Sequence, residues 1–230
     1  MRGLIAGLAL WLLFGQGIAS AQDRPAAIDQ IVGKLQEVYS HHCCFKARFD
    51  QLTVNTAMDL RDKFQGVMFV KKPGSISLEV DFPEPQKVVV KGKTYAIYFP
   101  QDGTSANGEI PPEMNVEQFF GFFTNIGNLG RNFTITFPPK ALDKEENMYF
   151  LELTDAVNPS STYRMVLGID AAKFTVKRAI IYDALGNYNR FDLTDFTFLD
   201  SLPDSRFEIS SAPLHKLPPA QGFYGNREKQ

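Results

Sequence analysis

Several segments of this 230-residue chain alternate apolar and polar side chains with a period of two. The clearest is 76–82, where apolar residues alternate with Ser77, Glu79 and Asp81. Strands of this kind have one buried face and one solvent-exposed face, which is typical of an antiparallel sheet. The alternation recurs at 45–50, 149–154 and 163–170, and further strands fit 66–72, 86–91, 94–99, 132–137, 175–183, 189–198 and 206–210. A sheet with this many strands tends to curl, which predicts a mainly β fold: an incomplete antiparallel β-barrel or strongly curved sheet.

Two segments have the 3.6-residue period of helices instead. Residues 26–40 place apolar side chains on one face of a helix. Residues 115–129 have too wide an apolar arc for a one-sided surface helix, because Phe and Ile occur all around it. This second helix needs apolar contact on two sides, either deep in an ordinary core or between the sheet and a ligand or membrane. Helices that fill the curled sheet tightly would leave a core, and loosely packed ones a ligand cavity.

The first residues have the three parts of a secretory signal peptide. Arg2 precedes an apolar run at 4–14, and Ala19-Ser20-Ala21 provides a cleavage site with small residues. The run is shorter than the about 20 residues that span a bilayer, and glycines interrupt it, which disfavours a retained membrane anchor. We therefore expect a signal peptide at 1–21 and a single secreted domain at 22–230.

The composition narrows the class of function. The net charge is −2 without a basic block, so nothing indicates a nucleic-acid partner. The 20 Phe and 8 Tyr must largely face a core or a bound ligand, because apolar rings are costly to leave in water. No nucleophile motif such as G-x-S-x-G occurs, so we expect a binding protein without a cofactor rather than an enzyme.

The run His41-His42-Cys43-Cys44 could suggest a metal or redox site. Zinc ligands are usually separated by two to four residues so that they can converge, whereas adjacent residues entering a strand point to opposite faces. A disulfide between neighbours is also disfavoured, because adjacent Cα atoms lie about 3.8 Å apart, below the usual range. We expect a solvated helix-to-strand corner with one buried Cys, no metal, and no bond between Cys43 and Cys44.

Short motifs in order along residues 26–214 resemble those of the periplasmic outer-membrane lipoprotein carrier proteins of the LolA type. FKARFDQ at 45–51 is similar to the family's first strand, F-x-A-x-F-x-Q. GVMFVKKPG at 66–74 is similar to its glycine, apolar strand and K-R-P-G turn. The others are PEP at 83–85, KGKT at 91–94, YFP at 98–100, YDALGNYNRFDLTDF at 182–196 and FEI at 207–209. Their order and spacing carry the resemblance.

The resemblance implies an incomplete barrel with helices as a lid over an apolar cavity, and a carrier function in the periplasm. Such a monomeric carrier would take lipoproteins from an inner-membrane ABC transporter, shield their acyl chains and deliver them to an outer-membrane receptor. The residues that match the cavity wall are Phe49, Met68, Val70, Ile76, Leu78 and Val80. Those that match the lid are Leu35, Phe119, Phe120 and Phe123. Plain core packing is the alternative for each of them.

One departure from the family pattern concerns the turn before Pro73. The family usually has an Arg there, which ties the backbone of the lid to the barrel, whereas this chain has Lys72. Lys has three donors on a flexible stem, so it can fix fewer lid carbonyls than the rigid five-donor fork of Arg. Lys72 is thus a candidate lid-gating residue in a looser lid, or a solvated turn residue.

Two other functions remain open at this point. The same fold could bind another amphiphile, such as a free lipid or glycolipid. It could also be an envelope-stress sensor that binds a partner protein, although the absence of a second predicted domain disfavours this. The sequence does not identify the cargo.

Overall fold

We describe residues 23–110, 116–139, 147–156, 164–209 and 214–215 in a computed structural model. The predicted signal peptide lies outside these residues. All described strands belong to one sheet, in the order β12-β6-β5-β4-β3-β2-β1-β11-β10-β9-β8-β7. The strands are β1 Cys44–Asn55, β2 Leu60–Lys71, β3 Ser75–Phe82, β4 Gln86–Lys91, β5 Thr94–Phe99, β6 Thr104–Glu109, β7 Phe133–Thr136, β8 Met148–Asp155, β9 Arg164–Asp170, β10 Val176–Tyr182, β11 Tyr188–Leu199 and β12 Leu214–His215.

The sheet is antiparallel except at β12, which pairs with β6 in parallel. Its two ends are β12 and β7, so it does not close on itself. The central strand β1 pairs with β2 along its whole length, from Cys44 opposite Lys71 to Asn55 opposite Leu60. The expected mainly β fold with an incomplete barrel is confirmed.

One face of this sheet, which we call the core face, is apolar across successive strands. Ala47 on β1 lies opposite Met68, which lies opposite Leu78, and the row continues to Val88 and Ile97. All five side chains are buried in the main cluster. Since burying an apolar side chain contributes about 1.5–3 kcal/mol, rows of this kind are the principal stabilising element of the fold.

The helices pack against the core face. Helix α1, Asp23–Ser40, buries Ile31, Leu35 and Tyr39 there. The predicted helix at 115–129 is instead α2, Val116–Asn125, followed by a 3-10 turn at Ile126–Asn128 and the short α3, Leu129–Asn132. Asn and Gly recur in this second half, and both are poor helix formers. No helix in the described ranges has the length and apolar character needed to cross a membrane.

Two predictions about strands need correction. Strand β6 was not predicted, because its sequence TSANGE has none of the β-branched apolar or aromatic residues that signal a strand. The predicted strand at 206–210 begins instead in a 3-10 turn, Asp204–Phe207. Leu202 and Phe207 bury their side chains in a second cluster with Cys44 and Val89. Because Cys44 and Val89 alternate with core residues along their strands, this cluster lies on the opposite side of the sheet, which we call the outer face.

Candidate functional site

The six residues that match the cavity wall lie together on the core face. Phe49 is on β1, Met68 and Val70 are on β2, and the other three are on β3. None is more than 7% exposed, and all belong to the main apolar cluster. The structure therefore brings these side chains onto one continuous apolar surface, which the helices cover.

The predicted lid residues lie on both helices. Leu35 on α1 and Phe123 on α2 are fully buried in the same cluster as the wall residues. Phe119 and Phe120 belong to α2, but their side chains lie outside the described part of the structure. Phe122 was not among the predicted lid residues, yet it is 1% exposed and its ring lies 5.2 Å from that of Phe123. The wide apolar arc of this helix was the signal that could have identified it.

Lys72 contacts the end of α1. Its Nζ donates a hydrogen bond of 2.7 Å to the carbonyl oxygen of Tyr39, and its backbone N–H donates to the carbonyl of Cys43 at 2.9 Å. The last carbonyls of a helix have no partner within the helix, and a cation there also interacts favourably with the helix dipole. Burial lowers the pKa of Lys72. This side chain thus links the β2–β3 turn to α1 through one carbonyl.

Tyr39 anchors the same end of α1 to the far half of the sheet. Its hydroxyl accepts a hydrogen bond of 3.1 Å from the backbone N–H of Val176, the first residue of β10. Its ring makes edge contacts with Phe45, Phe196 and Phe198 at centroid distances of 5.3–5.9 Å. Burial raises the pKa of the Tyr39 hydroxyl far above its usual value, so the group stays neutral. Sequence reasoning identified Tyr39 only as an apolar helix residue.

The expectation of two unbonded cysteines is wrong. Cys43 and Cys44 form a disulfide with their Cα atoms 3.8 Å apart. The usual range of Cα distances describes cysteines from separate parts of a chain, whereas neighbouring residues can close a small ring through their own peptide bond. Cys44 is 2% exposed and packs in the outer-face cluster, and the preceding His42 stacks on Phe198 at 4.1 Å.

Reduction of this disulfide should have a small effect on stability. A bond between neighbours closes the shortest possible loop, so loop closure contributes only about 1 kcal/mol. For a chain of this size we expect the melting temperature to fall by about 2–4 °C. Thermal unfolding with and without dithiothreitol, with thiol titration to verify reduction, measures it. Cys43→Ala/Cys44→Ala is the control, which should not respond to dithiothreitol, and a fall above about 10 °C would contradict the prediction.

Comparisons with known proteins agree with this architecture. The family model of the outer membrane lipoprotein carrier protein LolA matches residues 41–210. Outer-membrane lipoprotein carrier proteins of Coxiella burnetii strains are 24% identical over 136 residues, which is 59% of this chain and 62% of theirs. The chain thus matches less than two thirds of the length of these curated relatives.

One solved structure shows a likeness of fold, and a second is similar at a lower TM-score. An uncharacterized conserved protein from Thermus thermophilus is 10% identical with a TM-score of 0.50, covering 83% of this chain and 99% of that one. The LolA superfamily protein NE2245 from Nitrosomonas europaea is 16% identical with a TM-score of 0.43, covering 79% of this chain and 97% of that one. The family match spans most of the described sheet and all six wall residues. The chain therefore belongs to the LolA family of outer-membrane lipoprotein carrier proteins.

Proposed function

We propose that this protein is a periplasmic carrier that holds the acyl chains of lipoproteins against the core face and releases them at the outer membrane. An inner-membrane ABC transporter would supply the cargo and an outer-membrane receptor would accept it. The observation that carries the proposal is the single apolar cluster formed by the wall residues and the helices. In this role the protein binds its cargo and catalyses no reaction.

The tight packing of this cluster gives the carrier a way to release its cargo. Burial of an acyl chain contributes about 0.8 kcal/mol per CH₂, so a chain of ~16 carbons gains on the order of 12 kcal/mol. Cargo held that strongly would dissociate too slowly to be delivered. Because Leu35 and Phe123 fill the space above the wall, they must be displaced before a chain can enter. The cost of that displacement offsets part of the gain.

The cargo can be identified by native mass spectrometry of protein purified from the periplasm, followed by organic extraction. We expect a bound species that carries lipoprotein acyl chains. A free lipid or glycolipid in its place would favour the alternative of a general amphiphile binder. Protein that is empty, and that also fails to bind an acyl probe in solution, would contradict the proposal.

Lys72 should set the balance between the closed and the loaded protein. A hydrogen bond to a charged group contributes about 1.5–3 kcal/mol, less where solvent reaches it, and 1.4 kcal/mol corresponds to a tenfold change. Lys72→Leu removes the bond to Tyr39 and should strengthen retention of an acyl probe by about three- to tenfold and slow its transfer. Lys72→Arg, with more fixed donors, should weaken probe affinity.

The matched control is Lys71→Leu, because the neighbouring Lys71 bonds to Asp204 and to the carbonyl of Leu202 rather than to α1. Probe affinity and transfer rate should be unchanged in this variant. Equal values for the wild type, Lys72→Leu and Lys72→Arg would mean that residue 72 does not gate the lid.

A further inference from the structure

Two aliphatic side chains protrude from neighbouring hairpin turns. Met58, in the turn between β1 and β2, is 63% exposed, and Leu185, in the turn between β10 and β11, is 79% exposed. They are the two most exposed large apolar residues in the described part of the chain. Neither contributes to the core.

Hydrogen bonds join the two turns into one unit, which we call the paired tips (residues 55–60 and 183–187). The backbone N–H of Thr56 donates to Oδ1 of Asn187 at 2.9 Å. The hydroxyl of Thr56 donates to the carbonyl of Gly186, also at 2.9 Å. Met58 and Leu185 therefore protrude from one hydrogen-bonded unit at the same end of the sheet.

The backbone donors that flank these side chains are satisfied within the paired tips. The N–H of Met58 donates to Oδ1 of Asn55 at 3.1 Å. The N–H groups of Leu185 and Asn187 both donate to Oδ1 of Asp183 at 2.9 Å. An unpaired N–H is costly to move out of water, and in a lipid environment every backbone polar group must be satisfied internally. These turns meet that condition at the amides of both protruding residues.

The residues behind the apex are of types that are enriched at membrane–water interfaces. The rings of Tyr182 and Tyr188 lie 5.7 Å apart at the base of the second turn, and the guanidinium of Arg164 lies 4.1 Å from the Tyr182 centroid. Tyr rings are enriched at this level because they have an apolar body and a polar tip. At the apex, the carboxylate of Asp59 lies 3.9 Å from the guanidinium of Arg61, so the two side chains form an ion pair.

We propose that the paired tips are a membrane-contact site that inserts Met58 and Leu185 into the surface of a phospholipid bilayer. Because the amides of Met58, Leu185 and Asn187 are already satisfied, these turns have few backbone donors to offer a folded partner, whereas a lipid interface requires none. The two acidic side chains of the paired tips already have partners, because Asp59 pairs with Arg61 and Asp183 accepts from the N–H groups of Leu185 and Asn187. Apolar contact rather than lipid charge should therefore drive binding. This site needs no bound cargo, so it can be tested independently of the carrier function.

The location of the site is compatible with cargo transfer at the membrane. Strand β1 has 12 residues, and it runs from the Cys44 corner, where Lys72 contacts α1, to the paired tips. At about 3.3 Å per residue, these ends lie roughly 35 Å apart. The paired tips can thus touch a bilayer while the Lys72 end remains free to open.

A tryptophan reporter tests the proposal. Trp11, the one tryptophan of the chain, lies in the predicted signal peptide, so Trp11→Phe provides a silent background. Leu185→Trp in this background should show a blue-shifted emission, and quenching by brominated lipid, on vesicles of phosphatidylethanolamine and phosphatidylglycerol. Tyr149→Trp is the control, since Tyr149 is 38% exposed and lies at the opposite end of the sheet, stacked on Phe174. It should show neither change.

Vesicle cosedimentation provides the second measurement. Met58→Ser/Leu185→Ser should weaken vesicle binding about tenfold. The same loss is expected on phosphatidylcholine vesicles and at high salt, because apolar contact drives binding. The melting temperature of the variant should equal that of the wild type. Equal quenching at positions 185 and 149, no quenching at 185, or unchanged binding of the double variant would each overturn the proposal. Loss of vesicle binding with intact acyl-probe binding would leave the carrier function standing.

Discussion

Leu78→Glu is expected to abolish acyl-chain binding while most of the protein still folds. Leu78 is 5% exposed on the core face, where Met68 and Val88 lie opposite it on the neighbouring strands. A carboxylate that meets an acyl chain without a partner costs several kcal/mol, which corresponds to a loss of affinity of more than about 100-fold. The carboxyl also destabilises the empty protein, because it replaces a side chain packed in the apolar cluster, but protonation limits this cost, so binding should be lost to a greater extent than folding. Titration with a fluorescent fatty-acid probe measures the loss.

Leu78→Met is the matched control for this experiment. It keeps the volume and apolar character of the side chain, and such exchanges usually cost less than about 1.5 kcal/mol. We expect it to bind the probe as the wild type does, and far-UV circular dichroism should show the wild-type sheet in both variants. If Leu78→Glu protects the probe as the wild type does, Leu78 does not line a lipid cavity.

The sheet could largely be predicted from the sequence because its stabilising contacts follow a local rule. A strand with one apolar face has a period of two wherever it lies in the sheet, as residues 76–82 illustrate. Strand β6 lacks that signal, since its place is determined by full pairing with β5 rather than by its own side chains. The prediction of a strand at 206–210 is wrong at its start for a related reason: Phe207 is buried on the outer face as part of a 3-10 turn, outside the alternating pattern.

The contacts of the candidate site were harder to predict than the strands, because they join residues that are far apart in the sequence. The alternation placed the wall residues on one face, but the partner of Lys72 is a backbone carbonyl 33 residues earlier in the chain. Any residue can supply a carbonyl, so sequence alone cannot identify it. The paired tips depend likewise on Thr56 and Asn187, which are 131 residues apart. Only the pairing of β1 with β11 brings these two turns together.

Gly66→Ala is expected to lower the free energy of unfolding by about 3 kcal/mol or more, although it adds only one methyl group. Gly66 lies on β2 between Phe49 and Val80, where the register with β3 shifts. A Cβ at this position would lie 2.1 Å from the carbonyl oxygen of Glu79 and 2.9 Å from the Cα of Val80. Both obstacles are backbone atoms of a central strand, so relief of the clash requires separation of β2 from β3. Glycine is required here for close approach of the two backbones.

Gly33→Ala is the matched control, with an effect of opposite sign. Gly33 lies in α1, and nothing lies within 4 Å of a Cβ built there. Because alanine is a better helix former than glycine, this substitution should raise the free energy of unfolding by up to about 1 kcal/mol. Urea unfolding of both variants measures the two changes under the same conditions. If Gly66→Ala were as stable as the wild type, β2 and β3 would not approach as closely as the structure shows. The wall residues on these strands would then have more room between them than a packed apolar cluster allows.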